Sequence, residues 1–147
     1  MNASISTLLE HKGSSVYTVP VTATVAAAVA EMNRQKIGCV LVMDGGRLAG
    51  VFTERDVLTR VVGAEIDPKT TPVSRVMTST VNTITREATI EEVMTIFAGK
   101  RCRHLPVVED GRLLGLVSIG DISRWIADAH HAECVQLKQY IAGGYPT

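Results

Sequence analysis

The sequence predicts a mixed α/β fold of the α+β kind, in which two copies of one β-α-β-β-α unit pack sheet to sheet. Three observations carry this. Sliding the chain by 65 residues aligns positions 16–60 with 81–125 without a gap, keeping Ala23/Ala88, Thr24/Thr89, Gly46/Gly111, Gly50/Gly115 and Asp56/Asp121 in register. Within each copy the apolar spacing switches between a helical period and short β-branched runs. A unit of roughly 45–50 residues with one apolar face per element is too small to bury a core alone, so two units must share one.

The elements follow in order. Residues 4–10 predict a short N-terminal helix. Each copy then opens on an extended piece, Thr18-Val19-Pro20 or Thr83-Ile84-Thr85. Thr24 and Thr89 are N-cap residues, and Glu92 completes a capping box with Thr89. The helices they start bury Val25, Ala28, Val29, Met32 and Ile90, Val93, Met94, Phe97, spaced i, i+3, i+4, i+7. β-rich runs at 39–43 and 105–108 lead to turns at Asp44-Gly45-Gly46 and Glu109-Asp110-Gly111, where glycine supplies the positive φ of a tight hairpin. Return strands at 48–52 and 113–117 feed second helices opening at Thr53 and Ser118. Residues 62–80, with Gly63, Pro68 and Pro72, read as a connection with one helical turn at 73–77. A long helix is predicted over 121–141. These elements place the first unit at 8–63, a linker at 64–79, the second unit at 80–130 and an extension at 131–147.

Bulk properties narrow the function. Fifteen basic side chains balance fifteen acidic ones, so the chain lacks the global field of a nucleic-acid-binding protein. Cys39, Cys102 and Cys134 are odd in number, widely spaced and without a CxxC pair, as expected in a reducing compartment. The N-terminus lacks the pattern of a secretory signal, and no apolar run approaches the ~20 residues that span a bilayer. The expectation is a cytoplasmic protein without a membrane or nucleic-acid partner. No nucleophile with a partnered base, no carboxylate pair and no Walker loop is present, so no enzyme is expected.

The sharpest chemistry lies where each last strand meets its helix, in Gly50-Val51-Phe52-Thr53-Glu54-Arg55-Asp56 and Gly115-Leu116-Val117-Ser118-Ile119-Gly120-Asp121. A hydroxyl precedes a carboxylate by three residues at a helix N-terminus. Free N–H groups and the helix dipole favour a phosphate there, and the carboxylate accepts from paired ribose hydroxyls. The same spacing makes a capping box that binds nothing, and both readings stand on the residues alone. Lys100, Arg101 and Arg103 are either a solvated basic face or phosphate partners. His104 is either a stacking and hydrogen-bonding group or a packing one. His130, Glu133 and Cys134 share helical spacing that would suit a metal, but three residues on one exposed helix are ordinarily incidental, and none is expected. Ile122, Trp125, Ile126 and Ala129 read as a packing stripe.

The repeated unit, its two Gly-x-x-Thr/Ser-x-x-Asp endings and the His104-Leu105-Pro106-Val107-Val108 segment resemble CBS domains over residues 16–62 and 80–127. The tail from Tyr140 to Tyr145 is similar to that of small CBS-pair proteins. The resemblance implies a pseudo-two-fold module, commonly a homodimer, that binds AMP, ADP, ATP, NAD or S-adenosylmethionine in clefts between its units and regulates a partner protein in trans. By the same resemblance Asp56 and Asp121 hold ribose hydroxyls, and Thr53 and Ser118 approach ribose or phosphate. The backbone at Thr18, Val19, Pro20 and at Thr83, Ile84 flanks adenine, and Val40-Leu41 with Leu105-Pro106 forms another wall. Phosphate falls to Arg55, Lys100, Arg101 and Arg103, the first copy having only Gln35 and Lys36 at the matching positions. The first copy departs from the pattern with Leu41 in place of proline, so unequal sites are expected.

Overall fold

The repeat persists at the level of single hydrogen bonds. Thr24 Oγ1 accepts from the Ala27 amide and Thr89 Oγ1 from the Glu92 amide, both at 3.1 Å. These caps start α2 (Val25–Gln35) and α4 (Ile90–Lys100), which end on Lys36 and Arg101, both in the left-handed region. The hairpins β2 (Cys39–Asp44) with β3 (Arg47–Thr53), and β4 (His104–Glu109) with β5 (Arg112–Ser118), share one register and one bulge, at Val42/Met43 and Val107/Val108. Their turns differ in detail: Asp110 as well as Gly111 takes positive φ, whereas in the first copy Gly45 does.

The computed structural model describes residues 3–139; the tail from Tyr140 and the predicted helix end at Ile141 lie outside them. Around the hairpins stand α1 (Ile5–Lys12), β1 (Thr18–Pro20), α3 (Glu54–Asp56) running on as a π-helix (Val57–Val62), a 3-10 turn (Val73–Arg75) and α5 (Ile119–Gln139). Sheet order is β1-β2-β3 in the first copy and β4-β5 in the second.

The missing strand of the second copy has a covalent cause. In the first copy the Leu41 amide donates to the Tyr17 carbonyl at 3.0 Å, extending β1 along β2. The matching residue is Pro106, which has no N–H to give. The extended Thr83-Ile84-Thr85 segment therefore pairs through a single bridge, Ile84 to Val107.

Three apolar clusters form the interior. One lies between the first sheet and its helix (Val25, Ala28, Met32, Val40, Val42, Phe52), and one holds the second copy's equivalents (Ile90, Val93, Leu105, Val107, Val117, Ile122). The third sits between the sheets, where Cys39, Leu41 and Val51 meet Leu113 and Leu116, so the copies do pack sheet to sheet. Met94, expected inside with the α4 stripe, is 43% exposed.

Each copy is completed by a segment outside its hairpin. Val73 and Val76, from the stretch read as linker, are buried in the first core. Ile5, Leu8 and Leu9 of α1 enter the second. The edges match bond for bond. Val25 N donates to Thr71 O and Val73 N to Ala23 O in the first copy; Ile90 N donates to Ala3 O and Ile5 N to Ala88 O in the second.

Candidate functional site

Thr53 and Asp56 form a complete capping box at the end of β3. Asp56 Oδ2 accepts from Thr53 N at 3.0 Å and from Thr53 Oγ1 at 3.2 Å, while Asp56 N donates to Thr53 Oγ1. Thr78 adds its hydroxyl at 3.3 Å from Oδ1, and Arg60 Nε stands 3.7 Å from the same oxygen. The Thr78 backbone is fixed by a reciprocal pair of bonds with Val51, at 2.8 and 2.9 Å. Gly50 makes this approach feasible, because a Cβ there would lie 2.8 Å from the Thr78 carbonyl.

In front of Asp56 opens a cleft of about 570 Å³, within the range of small-molecule sites. One wall is Thr53, Glu54, Arg55 and Asp56 from the first copy. The opposite wall is Lys100, Arg101, Cys102, Arg103 and His104 from the second, with Thr80, Val81 and Asn82 along the connecting floor. The fold thus exchanges partners: the cations nearest Ser118 in sequence face the hydroxyl and carboxylate of the other copy. The arrangement offers acceptors for hydroxyls at one end and cations for an anion at the other.

Of the expected site residues, Thr53, Arg55, Asp56, Arg101, Arg103 and His104 come together here. Thr18, Val19, Pro20, Thr83, Ile84 and Pro106 do not line this cleft, and the side chains of Val40 and Leu105 are fully buried in the two cores. Sequence reasoning missed Glu54, Thr78 and Asn82. Thr78 lies in the presumptive linker and carries no motif; Glu54 sits inside the quoted motif, where only its carboxylate signalled a role. Asn82 lies between the two repeated motifs and belongs to neither.

Ser118 and Asp121 build the same cap in different surroundings. Ser118 N donates to Asp121 Oδ2 at 2.8 Å, and Asp121 N donates to Ser118 Oγ at 3.1 Å. Lys12 Nζ also reaches Oδ2, and Arg124 reaches Oδ1, each at 2.7 Å. Burial by itself would raise the Asp121 pKa. The Lys12 ammonium and the Ser118 N–H outweigh it and hold the carboxyl below the usual range. Asp121 borders a smaller hollow of about 180 Å³ with Leu8, His11, Lys12 and Trp125.

His104 pairs with Ser118 across the hairpin. Desolvation, aided by Arg103 and Lys12 and opposed by Asp121 and Glu54, holds its pKa below the usual imidazole range, so the ring is neutral at pH 7. Its counterpart Cys39 is buried, and desolvation with the Asp56 charge pushes the thiol up to about 12. His130, Glu133 and Cys134 are all exposed on α5, and among the described residues no group of three His, Cys, Asp or Glu converges on a metal position. No helix among them is long and apolar enough to cross a membrane.

Comparison with known proteins agrees with this architecture. Residues 13–63 and 73–128 each match the CBS domain family. The mitochondrial CBS domain-containing protein CBSX3 of Arabidopsis thaliana is 36% identical over 127 residues, which are 83% of this chain and 62% of that protein; this chain spans less than two thirds of its length. A CBS-domain containing protein of Agrobacterium tumefaciens is 37% identical with a TM-score of 0.78, over 83% of this chain and 98% of that one. A CBS domain protein of Pyrobaculum aerophilum, solved in complex with AMP, is 25% identical with a TM-score of 0.72, over 81% and 89% of the two chains. The chain belongs to the CBS-domain family, with two CBS domains packed as a pair.

Proposed function

We propose that this CBS pair is a non-catalytic regulatory module that binds an adenine nucleotide in the Asp56 cleft and passes the signal to a partner protein in trans. AMP is the first choice, with ADP, ATP and NAD the other members of the class. One observation carries the reading: the cleft opposes the Thr53–Asp56 acceptors of one copy to Lys100, Arg101 and Arg103 of the other. A ribose at Asp56 and a phosphate among the cations would bridge the two copies, so occupancy would bias their packing. A signal requires that differential affinity for two arrangements. The AMP complex of the Pyrobaculum relative supports the choice of ligand.

A homodimer fits the same reading, since Leu58 and Val62 on the π-helical segment are 67% and 66% exposed. Neutral net charge argues against nucleic acid, and three unpaired cysteines favour a reducing compartment such as the cytoplasm. A ligand-independent interaction module is the alternative, favoured at the second motif by the full engagement of Asp121.

The test is a thermal-shift panel of AMP, ADP, ATP, NAD and GMP on nucleotide-free protein and on Asp56→Asn. A ligand at 100-fold its Kd stabilises by about 2.7 kcal/mol, a rise of several degrees for a chain of this size. The expected result is a rise with an adenine ligand, none with GMP, and its loss in Asp56→Asn. No rise with any ligand would leave the interaction module.

A further inference from the structure

The two carboxylates sit in equivalent frames and have different company. In the first copy, Thr78 N donates to Val51 O at 2.8 Å, and the Thr78 hydroxyl reaches Asp56. In the second, one ammonium does both: Lys12 Nζ donates to Leu116 O, the counterpart of Val51 O, and to Asp121 Oδ2, each at 2.7 Å. With a neutral hydroxyl close by and its one cation, Arg60, standing off at 3.7 Å, Asp56 keeps more acceptor capacity and charge than Asp121, which takes two cations at 2.7 Å. A lysine neutralises Asp121 and takes the lone pair a ribose would need.

Lys12 is held there by its helix. Ile5, Leu8 and Leu9 anchor α1 in the second core, and His11 meets Trp125 edge to face with ring centroids 5.6 Å apart. Gly115 lets Leu9 lie close, since a Cβ there would stand 2.9 Å from its Cδ2. Arg124, the other cation on Asp121, is 73% exposed, whereas Lys12 is 30% exposed and tied to two acceptors.

We propose that Lys12 is a built-in occupant of the second motif: it seals Asp121 against ribose, so the module takes one nucleotide per chain, and withdrawing Lys12 uncovers a second adenylate site at Ser118 and Asp121. This rests on the nucleotide reading of the repeated motif. The uncovered site is the weaker one, because Gln35 and Lys36 occupy the positions that Lys100 and Arg101 hold for the first.

Equilibrium dialysis with radiolabelled AMP on the full chain decides it, using wild type, Asp56→Asn, Lys12→Ala and Lys12→Ala/Asp121→Asn, with Lys12→Met replacing Lys12→Ala if the latter fails to fold. Expected stoichiometries per chain are one, none, two and one. Two in wild type, or one in both wild type and folded Lys12→Ala, overturns the seal and leaves the Asp56 site standing. None in wild type with one in Lys12→Ala keeps the seal and removes the Asp56 reading. None in any protein removes both.

Discussion

Asp56 and Asp121 occupy the same place in the same fold, are 6% and 8% exposed, and cap the same helix start. Yet one faces a cleft of about 570 Å³ lined by cations of the other copy, and the other is enclosed by its own ion pairs beside a hollow of about 180 Å³. The difference lies in the segment that closes each unit. The connection between the copies brings Thr78 to the first and then leaves along the cleft floor at Thr80 to Asn82. The N-terminal helix brings Lys12 to the second and stays. A duplicated motif thus has different surroundings in its two copies, because those are supplied by chain that the repeat does not include.

The largest break in this comparison is Leu8→Ala, which removes a buried anchor of α1 from the second core alone. A loss of about 2–5 kcal/mol is expected in urea unfolding, with an amide exchange rise that starts in the second copy.

The glycine pair sharpens it. In Gly50→Ala the new methyl meets a backbone carbonyl of Thr78 that its bonds to Val51 keep in place, so about 1–3 kcal/mol is expected. In Gly115→Ala it meets only Leu9 side-chain carbons, which turn aside, and under about 1 kcal/mol is expected. Equal losses would show that α1 is packed as rigidly as the connection.

The smallest effects are read in pH. His104 and Asp121 both have lowered pKa values, so the unfolded chain binds their protons first and stability falls on acidification. The His104 contribution is complete above about pH 6.5 and is lost as pH drops through its lower folded value. That of Asp121 is complete above about pH 3.9 and is lost below it. His104→Asn should flatten the upper limb of a stability-against-pH curve and Asp121→Asn the lower one. Cys39 has the opposite sign: its contribution is full below about pH 8.5 and disappears as pH rises toward about 12.

The sequence by itself determined what depends on neighbours a few residues apart. The caps at Thr24, Thr89, Thr53 and Ser118, the α2 stripe and the hairpin register follow from spacing, and the repeat turned one unit into two. The second copy's opening piece, expected to match the first, pairs only through the Ile84–Val107 bridge, because Pro106 lacks the N–H that the distant cross-strand bond needs. Met94 escaped because an amphipathic period marks a face without saying how wide the covering layer is. Tertiary structure decided the rest. Lys12 meets Asp121 across 109 residues, Arg60 and Thr78 converge on Asp56 from opposite sides of the connection, and the cations of the second copy face the carboxylate of the first. None of these pairings leaves a periodic trace, because a single ammonium or hydroxyl at a chain crossing is placed by the packing of whole elements rather than by its own sequence surroundings.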